Sequence, residues 1–532
     1  MRGGLLWGLA AALLAIAGAA VVISTYATTS QTWDEPAHLA AGIELLSRGV
    51  YDYEPQHPPL ARAAAALLPY LHGMRSLGTP GIFEEGAALL DAAPDYERAL
   101  TLARLGVLPF FVLLLAATWA WGRLLAGPVV ATLAVFFLAS LPPLIGNAAI
   151  AATDVPSVAT LTFCFAALMA WLDRPRWPIA LVLAVAGALA LATKFSAIPF
   201  LGLVLAAWIV LRGMVGTARP VLPFRPLQYL AMLALAALVL WALFGFGLRP
   251  PTVVTAIPLG IVGVAAHNFQ GHASYLLGQF SMDGWWYFYP VGFAVRTPPP
   301  LLFAGLAGLA WMTGAGIHGR DWRLLAVPVA TVVLLVFVCW FSRINIGLRH
   351  AFVLYPMLAL GAGYVCWRLA RINWPGRIAV ALLLAAQLAS VLLAHPDHLA
   401  YFNLAARGQP EKILINGDLD WGQDLKRLAE AVRQRGIDEI AVAYNGSADP
   451  ARFVPGFKPL PPETPTTGWI AISLFLTVDK SCGSYGWLDA YPPAATVGAS
   501  IRLYRIDALK PDVAVPRGAT DPENPRCRRL AG

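Results

Sequence analysis

The sequence predicts a polytopic α-helical membrane protein followed by a soluble α/β domain. Of its 532 residues, 58% are hydrophobic and only 13% are charged, whereas soluble proteins carry about 25% charged residues. The mean hydropathy is +0.63. About eleven apolar segments approach the roughly 20 residues that a helix needs to cross a bilayer. These segments are residues 4–24, 101–121, 127–146, 155–172, 178–193, 197–212, 227–247, 298–317, 324–341, 351–369 and 377–395.

The arginines predict how these segments are oriented. Cytoplasmic connections of membrane proteins are enriched in Lys and Arg. Alternate connections here carry arginines, whereas residues 147–154 and 194–196 hold only Lys194 as a cation. Arg2 precedes the first segment, which fits a span better than a cleaved signal peptide. We therefore expect a cytoplasmic N-terminus and an external C-terminal region. The same bias explains the net charge of +8 without nucleic-acid binding. Scarce lysine and abundant alanine suggest a GC-rich bacterial genome, and hence a bacterial inner membrane.

Two of the external connections are long, residues 25–100 and 248–297. Residues 1–396 are therefore expected to form the membrane domain, and residues 397–532 an extracytoplasmic domain of ordinary size. The second domain contains strand patterns at 413–415, 440–444, 469–475 and 500–505, and helical spacing over 423–434. Cys482 and Cys527 also lie there, and the sequence leaves open both a disulfide between them and two free thiols.

Acidic and histidine side chains are concentrated in the first long connection. Thr32 followed three residues later by Glu35 is typical of a helix N-terminus, and it predicts a helix that runs to Gly49. Glu35 is then either a helix cap or a catalytic carboxylate. Asp34 is not needed for the cap and precedes His38 by one helical turn, so that the two side chains can share a face. We predict that Asp34 is a catalytic general base and that His38 supports the acceptor side; a helix-dipole role for Asp34 is the alternative.

The segment that begins at His57 predicts a second helix, because two prolines follow and proline is favoured at the first helical position. The stiff backbone would direct His57, which we predict to be a phosphate ligand; an incidental turn histidine is the alternative. Asp154 precedes another predicted span. It is either an N-cap residue or a second catalytic carboxylate that faces Asp34 across the site.

Several basic side chains lie at the predicted external ends of spans, against the cytoplasmic bias of positive charge. A lipid-linked phosphate at the interface would explain their position, and contact with ordinary headgroups is the alternative. The predicted phosphate ligands in this set are Lys194, Arg296, Arg349 and His350, and Arg343 is a supporting residue. Tyr275, in the aromatic second connection, is a further supporting candidate unless it only anchors the interface.

These motifs together resemble a known family. Asp34-Glu35-x-x-His38, Gly49-x-Tyr51 and His57-Pro58-Pro59-Leu60 resemble the first outer loop of the protein O-mannosyltransferase family. Its members are polytopic glycosyltransferases of the GT-C fold, related to the aminoarabinose transferases of lipid A. The resemblance to bacterial members extends over most of the chain, through Asp154, Lys194-Phe-Ser, Ser274-Tyr-Leu-Leu-Gly, Gly284-Trp-Trp-Tyr, Asn345-Ile-Gly-Leu-Arg349-His350 and Asp420-Trp-Gly-Gln-Asp424-Leu.

The resemblance implies transfer of a sugar from a polyprenyl-phosphate donor to a protein, lipid or glycan acceptor. Asp34 matches the base, with Glu35 beside it, and His57 matches a phosphate-side residue. In the aminoarabinose relatives a Glu-Lys pair that holds metal and phosphate precedes the Pro-Pro segment. Gln56-His57 replaces it here, so we expect no metal or other cofactor in an inverting hexosyltransferase. The alternatives are a flippase or transporter of a lipid-linked glycan, and a non-catalytic membrane assembly protein.

Overall fold

Helices make up most of the computed structural model, which describes residues 2–54, 56–216, 221–246, 253–478 and 485–511. In chain order they are α1 (Arg2–Ser24), α2 (Glu35–Arg48), α3 (Pro59–Leu71), α4 (Ile82–Asp91), α5 (Tyr96–Ala126), α6 (Pro128–Ala139), α7 (Pro142–Ala148), α8 (Asp154–Asp173), α9 (Trp177–Thr193), α10 (Ala197–Val215), α11 (Pro226–Leu243), α12 (Val253–Gln270), α13 (Phe288–Arg296), α14 (Pro299–Gly319), α15 (Trp322–Phe341), α16 (Tyr355–Ile372), α17 (Trp374–Ala394), α18 (Asn416–Leu419), α19 (Leu425–Gln434), α20 (Pro450–Phe453) and α21 (Leu474–Val478). A 3₁₀ turn, Leu348–Leu354, leads into α16.

The described residues contain nine helical segments that are long and apolar enough to cross a membrane. In addition, α6 and α7 form a broken span that bends by 68°, and α9 is a shorter apolar helix. Each of the eleven predicted segments therefore corresponds to a helix or to this broken pair, and the prediction of a polytopic helical membrane protein is confirmed.

Close backbone contacts pack these helices against one another. A Cβ atom at Gly308 in α14 would lie 1.8 Å from the carbonyl oxygen of Gly361 in α16, so only glycine fits there, as is common at membrane-helix interfaces. A Cβ atom at Gly42 in α2 would lie 2.1 Å from the carbonyl oxygen of Arg62 in α3. This second contact holds α2 against α3 and brings the side chains of His38 and Arg62 together.

The two long connections are largely helical. α2 ends at Gly49, whose φ of 69° forms a left-handed cap, and α3 begins at Pro59, so both predicted helices are confirmed. The second connection contains α12, an antiparallel hairpin of β1 (Ser274–Leu276) and β2 (Gln279–Ser281), and α13. The sequence pattern does not predict α12, because Pro258 and several glycines interrupt its apolar run.

A five-stranded sheet organises the C-terminal region, which confirms a small sheet-containing domain there. Its strands are β3 (Ile440–Ala443), β4 (Phe457–Pro459), β5 (Gly468–Ser473), β6 (Ala495–Val497) and β7 (Ile501–Ile506), in the order β4-β3-β5-β7-β6. β3, β5 and β7 match predicted strands, whereas the sequence does not predict β4 and β6. β3 pairs in parallel with β4 and β5, whereas β7 pairs antiparallel with β5 and β6. α19 packs Leu425, Leu428 and Val432 into the core beside the sheet.

The prediction of a strand at residues 413–415 is wrong. This segment leads from a 3₁₀ turn into α18, and Ile415 is buried in a cluster with Tyr275 and Leu419. A short apolar run has no periodicity that separates a strand from a buried turn. Cys482 and Cys527, the two cysteines of the open disulfide question, lie outside the described residues.

Candidate functional site

Charged side chains from four separate segments meet at one end of the helical bundle. Asp34 directly precedes α2, Asp154 is the first residue of α8, Lys194 directly follows α9, and Arg349 lies in the 3₁₀ turn before α16. His350 is next to Arg349. We call these five residues the charged cluster. All five are candidates predicted from the sequence, and the alternation of the spans explains why their segments reach the same end.

Arg349 lies at the centre of the charged cluster. Its Nη1 donates to Oδ2 of Asp34 at 3.0 Å and lies 3.5 Å from Oδ2 of Asp154. The Nζ of Lys194 is 2.7 Å from Oδ1 of Asp154. Asp154 is buried, but the side chain of Asp34 is 30% exposed, so solvent or a substrate reaches it. Asp34 and Asp154 therefore share the guanidinium of Arg349, and the role of Asp154 as a second catalytic carboxylate stays a prediction.

Two nitrogen atoms of the charged cluster are buried without a hydrogen-bond partner in the part of the chain that the structure describes. They are Nε of Arg349 and Nε2 of His350. His350 lies within electrostatic range of Lys194, Asp154 and His57. A buried polar group without a partner costs about 1–3 kcal/mol, so these atoms indicate a place where a hydrogen-bonding ligand would be stabilised.

A second group of side chains surrounds His57. Its Nδ1 lies 3.0 Å from a carboxylate oxygen of Glu54, and Arg62 pairs with the same carboxylate. Arg62 also donates from Nε to Nδ1 of His38 at 3.2 Å and from Nη1 to the hydroxyl of Tyr51 at 3.1 Å. The rings of His38 and His57 are in edge-to-face contact, with centroids 5.8 Å apart.

The charges in this second group are fixed by their surroundings. Burial raises the pKa of the Glu54 carboxyl, but the hydrogen bond from His57 and the charge of Arg62 outweigh burial and lower it, so that Glu54 is ionised. Burial, followed by the charge of Arg62, lowers the pKa of His38 well below its usual range. His38 is therefore neutral, which matches the acceptance of a hydrogen bond from Arg62 by its Nδ1.

Glu35 lies outside the charged cluster, although the sequence makes it a candidate catalytic carboxylate. It forms a buried ion pair with Arg104 of α5, at 2.8 Å between Oε1 and Nε, with both side chains 1% exposed. Its oxygens also accept the backbone N–H groups of Thr32 and Ala151 at 2.8 Å. The bond from Thr32 is the one expected of a cap, and the saturated carboxylate has no free position for a substrate proton.

Three other sequence candidates contact different partners. Arg296 is buried and pairs with Asp418 of the C-terminal region at 2.7 Å, and it also donates to the carbonyl oxygen of Leu399 at 2.7 Å. It therefore connects the membrane domain to the C-terminal region and does not join the charged cluster. Arg343 is half exposed and lies 3.4 Å from an oxygen of Asp283.

Tyr275 also lies apart from the cluster. Its hydroxyl donates to the carbonyl oxygen of Glu411 at 2.9 Å, and its ring is buried in a cluster with Ile415, Leu419 and Leu474. The residue supports the contact between the β1–β2 hairpin and the C-terminal region. These contacts differ from those of a residue that only anchors the chain at the bilayer interface.

Four residues that hold the site in place are not among the sequence candidates. They are Glu54, Arg62, Arg104 and Trp421. Arg104 lies in an apolar run, and the rule that an ionisable residue inside a span needs a partner would have indicated it. Glu54 and Arg62 flank His57 within five residues, but nothing in their spacing predicts that Glu54 pairs with both His57 and Arg62. Trp421 lies over Arg349, with the guanidinium carbon 3.9 Å from the ring centre, and no pattern in the sequence predicts this contact.

The charged cluster has the components needed to bind an anion and accept a proton. It combines an accessible carboxylate, two permanent cations and an imidazole at the end of a membrane bundle. Anions such as phosphate are bound by this combination of guanidinium, ammonium and N–H donors. Among the described residues, no group of three or more His, Cys, Asp and Glu side chains is arranged as a metal site.

An apolar groove of about 480 Å³ opens on another part of the bundle. Its walls come from α1, α6 and α17, and they include Trp7, Leu13, Phe136 and Leu384. None of the residues of the charged cluster lines this groove. It is therefore not the lateral opening beside Asp34 that a lipid-linked donor would require.

The fold and the site define a class: a multi-pass membrane protein whose charged cluster adjoins a C-terminal sheet domain. Its structure is similar to solved glycosyltransferases of the GT-C fold. ArnT from Cupriavidus metallidurans bound to undecaprenyl phosphate aligns over 92% of this chain and 97% of ArnT, with 14% identity and a TM-score of 0.48. No family model matches the chain, and no curated protein matches it.

Two further similar structures come from larger proteins. The oligosaccharyltransferase of Archaeoglobus fulgidus, tethered to an acceptor peptide, aligns over 73% of this chain and 55% of its own, with 9% identity and a TM-score of 0.46. The arabinofuranosyltransferase AftD from Mycobacteria aligns over 93% of this chain and 40% of its own, with 15% identity and a TM-score of 0.38.

Proposed function

We propose that the protein transfers a sugar from a polyprenyl-phosphate donor to an acceptor hydroxyl, with Asp34 as the general base. The observation that carries this proposal is the pair of buried, unpartnered nitrogens on Arg349 and His350 beside the accessible carboxylate of Asp34. Phosphate oxygens would be acceptors for these nitrogens, and an acceptor hydroxyl would donate to the carboxylate. The proposal therefore assigns donor binding and proton transfer to the same cluster.

Donor binding would also activate the base. In the structure Nη1 of Arg349 donates a hydrogen bond to Asp34 at 3.0 Å. A donor phosphate would compete with Asp34 for the guanidinium, so its arrival would weaken this ion pair and leave the carboxylate free to accept a hydrogen bond from the acceptor hydroxyl. Proton transfer would then be restricted to the complex in which the donor is present.

In this proposal the cations stabilise the leaving group. The acceptor oxygen forms a bond to the anomeric carbon, the bond from that carbon to the phosphate oxygen breaks, and the electron pair leaves with the polyprenyl phosphate. Negative charge on that phosphate grows in the transition state, where fixed positive charges are most effective. Lys194 and Arg349 supply this charge, and His350 and His57 supply hydrogen bonds. A single displacement of this kind inverts the configuration of a hexose such as mannose.

The membrane domain suits a donor with a lipid tail, because the tail stays in the bilayer while the sugar-phosphate enters the cluster. The arginine distribution supports an N-terminus in the cytoplasm and a charged cluster at the outer face, and we place the protein in a bacterial inner membrane. The acceptor, whether protein, lipid or glycan, would then approach from outside the cell.

A panel of polyprenyl-phosphate sugars tests the proposal. The purified full-length protein is incubated with undecaprenyl phosphate linked to different hexoses and pentoses, together with peptide, lipid and glycan acceptors. We expect release of undecaprenyl phosphate, measured by mass spectrometry, with one donor class, and a mass increase of the acceptor by one sugar. Absence of release from every donor at substrate concentrations that saturate binding would contradict the proposal.

Removal of divalent metal is expected to leave transfer unchanged. The physical reason is that, in the proposed mechanism, Lys194 and Arg349 meet the charge of the leaving phosphate without a bound cation. The rate is measured after dialysis against EDTA and again after addition of Mg²⁺ or Mn²⁺. A rate that falls on dialysis and returns with metal would show that a cation, and not only the side chains, meets the phosphate charge.

A further inference from the structure

One turn of the C-terminal region contacts both segments that supply the centre of the charged cluster. We call residues 416–424, which contain α18, the docking turn. The carbonyl oxygens of Trp421 and Gln423 accept the backbone N–H groups of Trp33 and Ser30 at 3.1 and 2.8 Å. These bonds attach the docking turn to the segment that carries Asp34.

The same turn is attached to the segment that carries Arg349. Both carboxylate oxygens of Asp418 lie 3.1 Å from the backbone N–H of Leu348, the residue immediately before Arg349. Asp418 also pairs with Arg296 of α13 at 2.7 Å. The ion pair between Arg296 and Asp418 is therefore part of the attachment, which explains why Arg296 is buried away from the cluster.

Trp421 covers the guanidinium of Arg349. The guanidinium carbon lies 3.9 Å from the centre of the Trp421 ring, within the distance at which a cation is attracted to an aromatic face. Trp421 is 6% exposed and packs with Ile150, Ala152 and Leu399, so its ring is held in place. Arg349 is thus confined between this ring and the carboxylates of the cluster.

We propose that Trp421 is a positioning residue for Arg349, so that the C-terminal region forms part of the anion site. This inference rests on the proposed function, because it assigns to Arg349 the binding of the donor phosphate. Trp421 contributes a flat, rigid surface that keeps the guanidinium oriented when it exchanges Asp34 for phosphate. Without the ring, the guanidinium would adopt more orientations, and donor binding would have to restrict it to one of them.

Two substitutions distinguish the contribution of the aromatic face from that of apolar packing. Trp421→Phe keeps an aromatic face, whereas Trp421→Leu keeps apolar contact with Ile150, Ala152 and Leu399 but has no π system. The probe is undecaprenyl phosphate, titrated into full-length protein in detergent, and folding is followed through Tm. We expect Trp421→Leu to weaken binding about tenfold and Trp421→Phe to stay near wild type, with similar Tm for both. Equal binding by the two variants at equal Tm would overturn the inference.

A matched control lies in the sheet. Trp469 of β5 stacks on Arg505, with the guanidinium carbon 5.3 Å from the ring centre, and neither residue contacts the cluster. Trp469→Leu removes the same kind of contact from the same domain, and we expect undecaprenyl phosphate to bind to it as it does to wild type. A loss of affinity as large as that of Trp421→Leu would mean that general loosening of the domain causes the effect, and would overturn the inference.

A second readout does not depend on the ligand. Trp421→Leu, Arg349→Met and the double variant form a thermodynamic cycle in Tm or unfolding free energy. We expect the two changes to be non-additive, because they remove the same contact. Additive effects would overturn the positioning role whatever the protein binds. If wild type fails to bind undecaprenyl phosphate but the cycle shows coupling, the proposed function is wrong while the contact itself stands.

Discussion

Asp34→Asn is expected to lower the turnover of sugar transfer about 10²–10⁴-fold, the usual contribution of a positioned general base. Asparagine keeps the size of the side chain but cannot take up the proton of the acceptor. The substitution also removes the charge that holds Arg349 at 3.0 Å. Undecaprenyl phosphate should therefore bind to the variant at least as tightly as to wild type, because the guanidinium no longer has to leave a carboxylate.

The split between turnover and binding makes this prediction specific. Single-turnover transfer and donor affinity are measured on the same preparation, with the donor identified from the panel. Asp91→Asn is the control: Asp91 pairs with Arg452 at 2.6 Å and is about half exposed, and its substitution should change neither quantity. Near-normal turnover of Asp34→Asn would mean that Asp34 is not the base. A joint loss of turnover and binding would indicate a structural role.

The convergence of the charged cluster follows from features that a sequence contains. Asp154, Lys194 and Arg349 each adjoin the end of an apolar segment, and Asp34 lies in the connection that follows the first segment. Alternation of spans places all four on one side of the bundle. Arg296 satisfies the same criterion but contacts Asp418, because the choice between two acidic partners depends on the depth and direction of the side chain. Those quantities are set by long-range packing, which hydropathy does not encode.

Adjacent residues illustrate the same limit at short range. Asp34 and Glu35 are equally acidic and share a helix N-terminus, yet one contacts Arg349 and the other Arg104. Successive residues of a helix point about 100° apart, so neighbouring carboxylates reach different surroundings. The pattern predicts that a helix begins here, and it also predicts that Glu35 caps it. Which carboxylate faces the charged cluster depends on how α5 packs against α2.

Arg104→Met is expected to destabilise the protein by about 3–5 kcal/mol, the cost of leaving one member of a buried ion pair without its partner. Glu35 and Arg104 are both 1% exposed, and Arg104 also donates to the carbonyl oxygens of Thr29 and Ser30 at 3.0 and 2.8 Å. Loss of the guanidinium therefore releases the chain that leads to Asp34, and transfer should decrease along with stability. The free energy of unfolding is measured by denaturation in detergent.

The double variant shows whether charge or shape causes this loss. Glu35→Gln combined with Arg104→Met removes both charges from the buried site, so it should recover part of the stability that Arg104→Met loses. Arg433→Met is the control, because Arg433 pairs with Glu430 on the surface, with both side chains more than half exposed, and exposed pairs contribute only about 0–1 kcal/mol. A double variant less stable than Arg104→Met would mean that the unpaired charge is not the main cost.

Acidification should lower the stability of the wild-type protein, because it also breaks the ion pair between Glu35 and Arg104. Burial raises the pKa of Glu35, but the charge and hydrogen bonds of Arg104, with the N–H groups of Thr32 and Ala151, outweigh burial and lower it. A carboxyl whose pKa is lower in the folded state contributes stability that is present above its unfolded pKa of about 4.3 and is lost as the pH falls through the folded value. Stability of wild type should therefore decrease below about pH 4, and that of Glu35→Gln should decrease less over the same range. Equal slopes for the two proteins would mean that other carboxyl groups dominate acid unfolding.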